Sequence, residues 1–200
     1  VLALWRHLDH PGLKLLALAL LAAATARLVA NPGVLAYHGR GAVRVVNWLV
    51  YTYLVPAAAL VGAAALLRRH EVARLRPAEL RLQGPRPLAA GACGLAAVAV
   101  VFVWLNLTIA DLFSTGSQLT LSFARLPARD LTTSITWAGY GLLLLVLGVR
   151  LDLSALRWLS LGLMMATIAK VFLHDLGELQ DLWRVASLLG LAASLIAVSL

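Results

Sequence analysis

Charge is scarce in this sequence. Asp, Glu, Lys and Arg together make up 13% of its 200 residues, where a soluble domain carries roughly 25%. That deficit excludes a fold that meets water on all sides. Cysteine is nearly absent as well. Cys93 stands alone inside an apolar block, so an internal disulfide is excluded. Catalytic signatures are missing too. His70-Glu71 is followed by Val-Ala-Arg and lacks the second histidine of a zinc-protease helix. His7, His10 and His38 are scattered without metal-ligand spacing. There is no Gly-x-Ser-x-Gly elbow, P-loop or dinucleotide fingerprint. Asn106-Leu107-Thr108 matches a glycosylation acceptor only by chance, since it falls in an apolar segment. The residues thus point to no catalytic group, metal or cofactor.

What is present is hydrophobicity: 62% of residues are apolar and the mean hydropathy is +0.88. The apolar residues come in blocks long enough to cross a bilayer, which takes about 20 residues as a helix. The expected fold class is all-α, a polytopic transmembrane helical bundle of about six spanning helices. The spans are expected at residues 13–30, 45–67, 88–110, 132–149, 156–173 and 185–200. Asn31-Pro32-Gly33 stops the first, Pro56 marks a kink within the second, and Gln83-Gly84-Pro85-Arg86-Pro87 precedes the third. The 200 residues read as a single transmembrane domain. Because the chain opens on Val1 and closes on Leu200 within an apolar run, it is expected to be a fragment of a longer multi-spanning protein.

The net charge is +8. In a soluble protein that would suggest nucleic acid. Here the cations sit between apolar blocks, where they set orientation and meet lipid headgroups, so membrane lipids are the expected partner and nucleic acid is not. The loop over residues 68–87 carries six arginines: Arg68, Arg69, Arg74, Arg76, Arg81 and Arg86. Arg6, Lys14, Arg150 and Arg157 fall on the same side, which makes that side cytoplasmic. The opposite side carries Asp111, Asp130, Asp175, Glu178 and Asp181.

Several phrases carry a resemblance. They are Asn31-Pro32, Asn47-Trp48, Tyr53-Leu54-Val55-Pro56-Ala57, Ser134-Ile135-Thr136-Trp137-Ala138 and Leu156-Arg157. The most specific is Lys170-Val171-Phe172-Leu173-His174-Asp175-Leu176, with Arg184 and Ser187 following. Together they resemble the C-terminal part of a family of large predicted bacterial membrane proteins, catalogued as domain of unknown function 2339. The likeness covers nearly the whole chain. It implies a bacterial inner-membrane protein and implies no reaction. The remainder of the same polypeptide, or other membrane subunits, are the further partners expected.

A charge within a spanning helix costs roughly 2.5–3.5 kcal/mol at its centre on insertion scales, so each needs a reason. Ser160, Thr167, Lys170 and His174 fall within about 80° of one helical face, and Asp175 follows. Arg44, Asn47 and Tyr51 share a face of the second span, and Thr133, Thr136, Trp137 and Tyr140 share one in the fourth. With Asp111 and Arg184 near the same boundary, polar side chains gather in the outer half of the bundle.

Two readings follow. In one, Lys170, His174, Asp175, Arg184, Arg44, Asn47 and Asp111 line an outward-opening polar pocket that takes an anionic lipid or glycan, and the protein handles or modifies it. In the other, Lys170 snorkels to the interface and pairs with Asp175 or an acidic loop residue, Trp48, Trp137 and Trp183 form an interfacial belt, and the small polar groups bond between helices at about 0.6 kcal/mol each. The second makes the protein a non-catalytic transport or envelope-assembly component. Ser187, Gly190, Ser194 and Ala197 read as a packing face of the sixth span. Residues 111–130 read as an outer loop on the membrane surface or capping the pocket, in which Arg125 and Arg129 either supply cations to an anionic ligand or are simply solvated.

Overall fold

The computed structural model describes residues 1–8, 10–30, 47–74, 86–114 and 126–175. Those residues form six helices and no strand. They are α1 (Leu2–Leu8), α2 (Pro11–Ala30), α3 (Trp48–His70), α4 (Leu88–Phe113), α5 (Pro127–Arg150) and α6 (Ser154–Lys170). A 3-10 turn, Val72–Arg74, follows α3, and a π-helical turn, Val171–Asp175, extends α6. Five of these helices are long and apolar enough to cross a membrane. Expected spans one to five therefore correspond to α2 to α6, and the sixth, 185–200, lies outside the described residues.

Helix ends differ from the expected bounds by up to five residues, for local reasons. The second span starts at Trp48 rather than near 45 because Asn47 caps it: its backbone is extended and its Oδ1 accepts the Leu49 N–H at 2.9 Å. The fourth starts at Pro127 rather than near 132. Pro127 occupies the first helical turn, where its missing N–H costs nothing. Asp130 reinforces that end by accepting the Leu126 N–H at 3.1 Å. The surface loop expected over 111–130 is accordingly shorter, since α4 runs on to Phe113.

The chain forms two compact units, Val1–Ser122 and Phe123–Leu200. In the first, α3 and α4 pack along their length. Leu49, Tyr53, Ala57, Leu60, Ala63 and Leu67 make the buried stripe of α3, and Ala90, Cys93, Ala97, Val100 and Leu107 that of α4. The steps of three and four residues keep each stripe on one face. Several members are Ala or Cys, which lets the backbones approach closely, the usual basis of helix association in lipid. Trp5 of α1, 3% exposed, joins this core. The Tyr53 hydroxyl donates to the Leu28 carbonyl at 3.1 Å and so ties α3 to α2.

The second unit is an antiparallel hairpin of α5 and α6. Its seam is built from small residues at intervals of seven: Ser134, Gly141 and Gly148 on α5, Ser160 and Thr167 on α6, all buried. A seven-residue repeat keeps a seam facing its partner along both helices. A Cβ on Gly148 would stand 2.9 Å from the Arg157 backbone nitrogen, so only glycine fits there. The turn is closed by Leu153 N–H donating to the Gly148 carbonyl at 2.8 Å, with Asp152 left-handed at φ 49°. Outside these seams the helices present apolar side chains outward, Trp158 at 74% and Leu173 at 77% exposure among them. Lipid, not water, is the solvent such surfaces fit.

Candidate functional site

Besides the Tyr53–Leu28 bond, polar ties join the described helices in both units. The largest is centred on Glu71, which follows the last residue of α3 and is 1% exposed. Its Oε1 and Oε2 accept the backbone N–H groups of Ala89 and Ala90 at 3.2 and 3.1 Å. These are orphan donors of the first turn of α4, where the helix dipole favours negative charge. Lys14 of α2 brings its Nζ to 3.3 Å from Glu71 Oε1, with only 10% of its side chain exposed. One carboxylate thus joins three helices. A buried pair of this kind offsets its desolvation only when remaining lone pairs are satisfied, and the two N–H groups do that.

Glu71 was not among the expected site residues, and Lys14 was read only as a loop cation. The pair's signal in the sequence is faint: a single acid immediately after a span, within an arginine-rich stretch. The partner groups are backbone N–H donors, which no residue type advertises.

At the opposite end of the first unit, Asn47 and Asp111 come together. Asn47 Nδ2 donates to Asp111 Oδ2 at 3.1 Å while its Oδ1 caps α3. Asp111 is 3% exposed. Asn47 therefore binds the start of α3 to the end of α4. Asn106 and Thr108, on the same helix, donate to the Phe102 and Trp104 carbonyls one turn back, a local use that needs no ligand.

In the second unit, Lys170 donates to the Asp130 carbonyl at 3.1 Å and to the Ser134 hydroxyl at 2.9 Å. Its ammonium rests on the first turns of α5. Of the expected polar stripe, Ser160 and Thr167 are buried in the α5–α6 seam and bond to the Arg157 and Leu163 carbonyls of their own helix. They contribute to packing within the hairpin. His174 and Asp175 lie in the π-helical turn that follows, where only the backbone is described. Arg44 and Arg184 lie outside the described residues, as do Arg125 and Trp183, so the cavity expected between Lys170 and Arg44 does too. Among the described residues no group of three His, Cys, Asp or Glu side chains could hold a metal ion.

A family model described as "Predicted membrane protein (DUF2339)" matches residues 2–200. No curated protein and no solved structure matches.

Proposed function

This chain belongs to the DUF2339 family of predicted membrane proteins, and we propose that it serves as a non-catalytic component of transport or envelope assembly in a bacterial cytoplasmic membrane. The observation that carries this reading is the use made of the buried polar groups. Glu71 with Lys14, Asn47 with Asp111, and Lys170 with Ser134 each bond one helix to another. Reactive centres need groups poised for a substrate; these groups are spent on holding helices in register. The 68–87 arginine loop supports an orientation with that loop cytoplasmic.

The test is Lys170→Met in a cell that depends on the protein, scoring its abundance in the membrane beside envelope integrity. A structural Lys170 gives an envelope defect that follows the loss of protein and disappears when expression is raised. A full defect at normal abundance would assign Lys170 to a ligand or a proton, and the scaffold reading would fall.

A further inference from the structure

The end of the first unit that holds Glu71 is strongly cationic. Over residues 1–14 and 68–87 the sequence has eight Lys and Arg against three acids. The Lys14–Glu71 contact and the Glu71 bonds to α4 bring the start of α2, the end of α3 and the start of α4 to one place. Arg68 and Arg69 on the last turn of α3 and Arg86 just before α4 are exposed there, and so is Arg6 on α1. Glu71, the acid among the described residues at this end, is already taken by Lys14 and the two N–H groups. Its carboxylate is turned to Lys14 and the first turn of α4 rather than to Arg68, Arg69 or Arg86.

Apolar surface lies beside that charge. Trp5 anchors α1 in the core, while Leu4 and Leu8, one turn apart, are 54% and 67% exposed. Charge for a phosphate and exposed leucines for acyl chains therefore occur together at one end of a membrane-spanning unit. A soluble anion would use the arginines and leave the leucines in water. A lipid uses both.

We propose that Arg68, Arg69 and Arg86, with the Leu4/Leu8 face of α1, form a binding site for anionic phospholipid headgroups of the surrounding bilayer. The site distinguishes lipids by headgroup charge. Arginine suits the task because its planar donors match phosphate geometry.

The full chain, reconstituted into phosphatidylcholine bilayers, is probed with spin-labelled phosphatidylglycerol or spin-labelled phosphatidylcholine, reading the motionally restricted fraction. The expected result is a preference for phosphatidylglycerol that weakens with salt and falls at least about fivefold in Arg68→Gln/Arg69→Gln/Arg86→Gln. The matching triple Lys variant keeps most of the preference, as does Arg27→Gln at the other end of α2. No preference in the parent protein, or one unchanged in the Gln variant, overturns the proposal. Equal loss in the Lys and Gln variants overturns it too, by showing a structural effect. Displacement of the labelled lipid by inorganic phosphate at constant ionic strength would assign the site to a soluble anion instead.

Discussion

The Lys14 ammonium lies 3.3 Å from the Glu71 carboxylate, with both side chains shielded from solvent, and that same carboxylate closes the first turn of α4. The relationship makes three helices depend on one pair of charges. Removing either partner takes a close ionic contact from a charge that is largely shielded from water.

Lys14→Met and Glu71→Gln should each destabilise the protein by about 3–5 kcal/mol, the cost of breaking a buried pair. The double variant Lys14→Met/Glu71→Gln should lose distinctly less than the sum, because no charge is then left alone. Denaturant titration of helix content in detergent, run as a double-mutant cycle, measures this. Additive losses would show that the two side chains act separately.

Gly148→Ala should lower the stability of the α5–α6 hairpin by about 1–3 kcal/mol, because the new methyl meets the Arg157 backbone nitrogen as well as the Arg157 and Leu156 side chains. Gly139 and Gly162 have open space where a Cβ would go. Alanine there should be neutral or add up to about 1 kcal/mol through helix propensity. Thermal melts of the three variants give the comparison, and equal melts for all three would contradict the close crossing at Gly148.

Asn47 holds α3 and α4 with the two ends of one amide. Asn47→Ser keeps a capping oxygen and loses the Asp111 contact. Asn47→Asp keeps the cap also, but sets a second carboxylate against Asp111, so it should be the less stable of the two by about 1 kcal/mol or more. Protein yield and melting temperature in detergent rank the pair, with the reverse order counting against the observed amide orientation.

The five spans were legible because apolar blocks and their Pro/Gly stops act through composition, which survives without tertiary context. The 83–87 breaker run precedes the start of α4 at Leu88, while Asn31-Pro32-Gly33 lies outside the described residues. The contacts were less legible. Lys170 stood out as a costly charge, yet one of its acceptors is the Asp130 carbonyl, which belongs to the backbone and carries no signature in residue type. Glu71 was hidden for the same reason, since it bonds backbone N–H groups of the next helix, the first of them eighteen residues later. Asn47 and Asp111 were each marked by polarity near a span boundary, and their pairing required the antiparallel run of α3 against α4. Ser160 and Thr167 were read as part of a polar stripe because period seven looks the same whether the face meets a cavity or a neighbouring helix.

Lys170 has a consequence for biogenesis. Alone, α6 would enter the bilayer carrying an ammonium with nothing to bond, at a penalty that opposes insertion. Asp130 and Ser134 precede it in the chain, so their acceptors leave the ribosome before Lys170 does. The two helices can thus leave the translocation channel as a preformed couple, with the cation handed from water to α5 rather than to lipid.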